Sequence, residues 1–294
     1  MNEQLTLEDV TSIVLATHES KYESGIPPTA YNKLLFLIDK ELNKKSGVDV
    51  DIPFYWYMHG PAVKTANTNV NEVSVGDGKR IQCDTKKDQI TAPSHVTRKV
   101  EESAESALEI YYEGGLDGLI AEAYRHAPYD VNNIYRDMKQ QLATETNSDQ
   151  ASLADFTGTN QTQLRNIVHD FVRAFPVEEF PRLEDDLHIW YRLVSAELDA
   201  DDFDAENTKT LTQQFWRLFC LELACKENND VSREEIEADL NTVSTSIADE
   251  KNRHRDRLRD EERVKARRNA TGSEMALKAS EAVMLPQLEF TAEL

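Results

Sequence analysis

Apolar residues recur every three or four positions through most of the chain beyond residue 93, and no other feature limits the possible folds as strongly. A stripe at that spacing lies along one side of a helix and has to be buried against another element. Val96, Val100, Ala104, Ala107, Leu108 and Tyr111 form the first such face, which Gly114-Gly115 closes. A short helix over 116–125 follows, and Ala127-Pro128-Tyr129 interrupts it. Val131, Ile134, Tyr135, Met138 and Leu142 line the next helix. Three further amphipathic faces are carried by Leu164 to Phe175, Leu183 to Leu198 and Leu211 to Leu223. Ser232-Arg-Glu-Glu235 reads as a capping box, opening a helix through Ile236, Leu240, Val243 and Ile247 that continues to Arg268.

The first 92 residues read differently. Thr6-Leu-Glu-Asp9 is a capping box for a helix reaching about His18, and Pro27-Pro28-Thr29 opens a second over Ala30 to Asn43. Residues 52–58 are rich in strand formers and stop at the turn signal His59-Gly60-Pro61. In Phe54-Tyr55-Trp56-Tyr57, alternation predicts one side turned into the core, and base stacking is the functional alternative. Three β-prone runs follow at 73–75, 80–83 and 89–91, separated by Gly76-Asp77-Gly78 and Asp84 to Asp88, as in a small meander or wing. The fold class expected is mainly α with a small β meander (α+β). Its parts are a module over 1–143, a polar linker over 144–160, a helical domain over 161–268 and a disordered tail over 269–294.

The chain has 294 residues, enough for two packed units without metal or disulfide support. Three cysteines, Cys83, Cys220 and Cys225, form no framework and fit reduced thiols. No secretory signal pattern is visible, and no apolar run approaches the ~20 residues of a membrane helix. A cytoplasmic protein without membrane contact is therefore expected. Its formal net charge of −21 is spread along the chain. That diffuse acidity fits a high-salt cytoplasm, as in salt-loving archaea, where a short Debye length screens self-repulsion. An acidic surface made for a basic partner is the competing reading.

Chemistry-bearing constellations are sparse. The seven histidines never fall at ligand spacing with one another or with cysteine, so neither a metal nor a cofactor is expected. No phosphate-binding glycine loop and no nucleophile elbow occurs. Acidic pairs such as Glu178-Glu179 and Asp185-Asp186 read as solvated helix faces. The expectation is a protein that is not an enzyme.

One segment breaks the acidic pattern. From Lys251 to Arg268 nine basic residues stand against four acidic ones, leaving five net positive charges. Arg253, Arg255, Arg257, Arg259, Arg263, Lys265, Arg267 and Arg268 are its candidate nucleic-acid-binding residues. The alternatives are a solvated helix braced by pairs such as Asp256–Arg259 and Glu261–Lys265, or a helix folded back on the chain's own acidic body.

Lys33-Leu-Leu-Phe36, followed by Phe54-Tyr-Trp-Tyr-Met-His-Gly-Pro-Ala-Val63, resembles the Panacea, or SocA-like antitoxin, domain family. That family has a lysine-led apolar helix, an aromatic strand ending in a Gly-Pro turn, and a later helix ending before Pro and an aromatic. Leu119 to Tyr124 with His126-Ala-Pro128-Tyr129 fills that last place, Tyr129 standing where Trp is usual. The resemblance spans about residues 5–142. It implies an interaction module that binds a partner protein such as a toxin, marked by Lys33, Tyr57, Gly60, Pro61, Val63, Pro128 and Tyr129. It leaves the β-prone insertion 70–92 and the C-terminal half without counterparts. The alternative function is a nucleic-acid-associated regulator, with residues 70–142 as a winged-helix-like unit and 251–268 as a basic arm. Oligomeric state is not legible.

Overall fold

The computed structural model describes residues 5–22, 25–45, 48, 50, 52–65, 68–146, 159–200, 203–226 and 247–270. They form eight α-helices and two antiparallel hairpins, a mainly α structure with a small β component. The helices are α1 (Leu7–Glu19), α2 (Pro28–Lys45), α3 (Ser94–Tyr124), α4 (Asp130–Thr146), α5 (Thr159–Ala174), α6 (Glu184–Leu198), α7 (Ala205–Lys226) and α8 (Ile247–Ala270). The strands are β1 (Phe54–Tyr57), β2 (Gly60–Val63), β3 (Val70–Val75) and β4 (Gly78–Cys83).

Contacts divide the chain into two units. One comprises Met1–Asn133 with Phe219–Ile247, the other Ile134–Leu218 with Ala248–Leu294. All three boundaries fall inside helices, in α4, in α7 and at the start of α8, whereas a boundary was expected over 144–160. Residues 147–158 of that polar stretch lie outside the described residues, as do the capping box at Ser232 and the tail 271–294.

The first unit is built on α1, α2 and α3. Thr6 caps α1 as expected: its Oγ1 accepts from the Asp9 N–H at 3.3 Å, and Asp9 Oδ2 accepts from the Thr6 N–H at 3.1 Å. Val10, Ile13 and Val14 of α1 are fully buried, as are Leu34, Leu35 and Ile38 of α2 and Val100, Ala104 and Leu108 of α3. α3 runs across the Gly114-Gly115 signal with a kink, because Gly115 takes φ 62° and ψ −161°. Its two segments match the two expected helices.

The β3–β4 hairpin pairs Val75 with Gly78 across Gly76-Asp77. The third expected β run, over 89–91, is a correction: a single 3-10 turn over Lys87–Gln89 runs into it and no strand forms there. The Gln89 N–H donates to the Lys86 carbonyl at 2.9 Å and the Ile90 N–H to the Lys87 carbonyl at 3.3 Å, so local turn bonds take donors a strand would have needed for its ladder, and the Gln89 side chain caps the turn from the Lys86 N–H.

In the second unit the core is aromatic. Trp190 of α6 stacks on Phe215 of α7 with centroids 5.3 Å apart, and Phe171 of α5 lies 5.0 Å from Trp190. Tyr135 of α4 stacks on Trp216 at 3.9 Å and 7°. Trp190 and Trp216 are fully buried. A buried ring of this size contributes on the order of 4 kcal/mol of transfer free energy.

Candidate functional site

The residues that carry the family resemblance meet at the β1–β2 hairpin. Tyr57 pairs with Gly60 and Phe54 with Val63, so Met58-His59 form the turn, while Gly60 and Pro61 begin β2. This corrects the expectation of a Gly-Pro turn. Proline is tolerated there because its missing N–H lies outside the β1 ladder. The outer edge of β2 faces α2, and two consecutive side chains cover it. Asn32 Oδ1 accepts from the Val63 N–H at 3.0 Å, and Lys33 Nζ donates to the Pro61 carbonyl at 2.9 Å. An open strand edge is thereby closed by a helix. Lys33 is only 2% exposed, and burial draws its ammonium down to about 8.

Gly60 is required by geometry. Its φ is 93°, and a Cβ placed on it would sit 3.0 Å from Tyr124 Cε2 and 3.4 Å from the Trp56 ring. The close approach lets Tyr124 meet Trp56 edge-on at 5.4 Å, and Phe36 meets Trp56 at 5.9 Å and Phe54 at 5.6 Å. Tyr55 points the other way, into Leu221 and Ala224, with Tyr57, Ala62 and Cys225 around them. Both faces of the hairpin are therefore covered, where alternation suggested one. The aromatic run is packed rather than offered for stacking. Pro128 is half-buried, and Tyr129 meets Phe219 edge-on at 6.3 Å.

Lys33, Gly60, Pro61 and Val63 are thus brought together and buried, with Tyr57 beside them. Sequence reasoning missed Asn32 and the Leu221–Cys225 stretch, and it had Tyr124 only as part of the later helix and not against the hairpin. The signal for Asn32 was visible: a second polar residue beside Lys33 within the otherwise apolar run 30–38. Nothing local marks the stretch near Leu221, because its contact joins residues some 165 positions apart.

The basic helix α8 is split by its surroundings. Arg255 Nε donates to Asp186 Oδ2 at 2.8 Å, and its Nη2 donates to the Arg182 carbonyl at 3.3 Å. Lys265 donates to the Leu193 carbonyl at 3.2 Å and pairs with Glu197. Arg192 pairs with Glu262, and Arg217 with Glu250. Asp186 corrects the view of Asp185-Asp186 as a solvated pair, since it is 2% exposed. Burial pushes its carboxyl upward, and Arg255, then Arg259, oppose that shift. Arg253, Arg257, Arg259, Arg263 and Arg267 are exposed; Arg263 pairs with Asp260 at 3.2 Å, and Asp256 is exposed among them. The Arg268 side chain lies outside the description. The suggested pairs Asp256–Arg259 and Glu261–Lys265 are replaced by Asp260–Arg263 and by contacts to α6.

Elsewhere in the first unit a groove of about 400 Å³ runs between α1, β4 and the turn after it, beside Ser12, Ala16, Cys83 and Lys86. Cys83 donates weakly to the Glu8 carbonyl at 3.7 Å, and burial raises its thiol. Among the described residues no group of three or more His, Cys, Asp or Glu could hold a metal ion, and no helix is long and apolar enough to cross a membrane. Comparison with protein-family models, curated proteins and solved structures finds no match to the chain.

Proposed function

We propose that the chain is a protein-binding module of the antitoxin or defence-locus type, acting by direct contact with a partner protein in the cytoplasm. The observation that supports this reading is the closure of the β2 edge by Asn32 and Lys33. The motif residues spaced over 33–63 act as one rigid structural device rather than as dispersed reactive groups. A buried lysine that donates to a backbone carbonyl holds a surface in shape and is not itself exposed to a substrate. Such pre-shaping reduces the ordering cost of association.

The test is affinity capture of the tagged full chain from native lysate at the salt concentration of its cytoplasm. One protein recovered in near-equal amount, whose expression alone arrests growth and whose effect this chain relieves, is the expected result. Recovery of no protein, or of material lost on nuclease treatment, would overturn the reading. Nuclease-sensitive recovery would favour the regulator reading, for which the exposed Arg253, Arg257, Arg259, Arg263 and Arg267 are the candidate contacts. The exposed Asp256 and Asp260 among them weaken the attraction of that face for phosphate.

A further inference from the structure

Most buried helices are held by a stripe of apolar side chains, but α8 is not. Among its described residues Leu258 is the only buried apolar one, while Lys251 and His254 are buried beside it. Its hold on the rest of the second unit is a seam of charge: Glu250 with Arg217 of α7, and Arg255, Glu262 and Lys265 with Asp186, Arg192 and Glu197 of α6. Charge seams bury little apolar area, so their strength depends on the protonation state of each member.

His254 sits in that seam at 7% exposure, and neither ring nitrogen has a hydrogen-bond partner. The charges facing it are Arg217 from α7 and Glu250 and Arg257 from α8. Glu250 Oε1 is 3.7 Å from Nε2, too far for a hydrogen bond, and Arg217 already occupies that carboxylate. A proton added to the ring would meet two guanidinium groups and one carboxylate that is already paired. The one carboxylate within ion-pair range of the ring is shared with Arg217, so the docked state repays less of the lost hydration than water does.

We propose that α8 is a pH-gated strap, held against α6 and α7 by charge pairs around a neutral buried His254 and released when that imidazole takes a proton. Burial, then Arg217, holds the ring below the usual histidine range, with Glu250 opposing. The sign follows. The released state binds the proton near 6.5 and the docked state binds it only lower, so this contribution to docking is at its full value above 6.5 and declines as pH falls below it. One proton taken up on release enlarges the released fraction about tenfold per pH unit in that window.

The proposal is tested by hydrogen exchange of the full chain at pH 7.5, 6.5 and 5.5, corrected for intrinsic amide rates and read by mass spectrometry. Peptides from 249–265 should lose protection up to about tenfold between pH 6.5 and 5.5, while α5 peptides keep theirs. The H254Q variant, neutral at every pH, should keep α8 protected throughout. Unchanged α8 protection in the native chain, an equal loss in H254Q, or α5 opening in step with α8 would each overturn the strap. Where H254Q fails to dock α8 even at pH 7.5, the NMR titration of His254 in the native chain decides: a midpoint at or above 6.5 sinks the proposal, and one below it upholds it.

Discussion

Lys33 and Gly60 carry the hairpin through different physics, and each yields its own measurement. Lys33 is charged in a site that resists charge, so its folded ammonium loses its proton near 8, against 10.5 in the unfolded chain. Between those values the unfolded chain binds the extra proton, and stability therefore rises with pH. Relative to K33M, which cannot titrate, the native chain should gain up to about 1.4 kcal/mol per pH unit between pH 8.5 and 10 in paired urea melts. A flat difference across that range would show that Lys33 is solvated. K33M itself leaves the Pro61 carbonyl without its donor and should cost roughly 1–3 kcal/mol at pH 7. At Gly60 the burden is steric. G60A combines a left-handed backbone with a Cβ pressed on the Tyr124 ring, and a loss of about 2 kcal/mol or more is expected in the same melts.

At the scale of elements, the two glycines of α3 separate backbone strain from packing. Neither Gly114 nor Gly115 would bring a Cβ within 4 Å of a neighbour, yet only Gly115 has positive φ. G114A should therefore raise stability by roughly 0.5–1 kcal/mol and G115A lower it by about 1–3 kcal/mol, read as opposite shifts in thermal midpoint. The Gly-Gly signal, like the helical faces beyond residue 93, was legible because it acts within a few residues. The same holds for the capping box at Thr6. Legibility failed where distant segments decide the outcome. Asp186 reads as surface in an acidic run, and only Arg255, 69 positions on, makes it a buried partner. Tyr55 reads as one side of an alternating strand until Leu221 and Ala224 cover it. Residues 89–91 have strand composition but lack a partner strand, and a local cap at Lys86 and Gln89 wins instead. The basic run over 251–268 was visible as an anomaly, but its division into docked and exposed residues depended on where α6 lies. Removing one side of the seam tests that division. R255M leaves the Asp186 carboxylate buried without its guanidinium and should cost about 3–5 kcal/mol, far more than R253M on the exposed face, as compared by denaturant titration.

For the whole molecule, 54 acidic against 33 basic residues set a self-repulsion that no local contact removes. Many of the ion pairs are exposed, among them Lys79–Glu72 and Arg263–Asp260, and pairs of that kind add little. The net charge of −21 therefore dominates the response of stability to salt. Screening shortens the Debye length from about 10 Å at 0.1 M to about 3 Å at 1 M, which relieves repulsion between like charges spread over the surface. The same salt reaches the buried seam at Asp186 much less, so the favourable pairs survive while the unfavourable field is damped. The thermal midpoint should consequently climb by several degrees between 0.1 and 2 M KCl at pH 7.5. Sodium sulfate, which also strengthens burial of apolar surface, should raise it further at equal ionic strength. Scanning calorimetry in both salts separates the two contributions. A midpoint that falls in KCl would mean that attractive surface pairs outweigh net repulsion. It would also remove the case for reading the acidity as adaptation to a saline cytoplasm, and leave a basic partner as the reason for so acidic a surface.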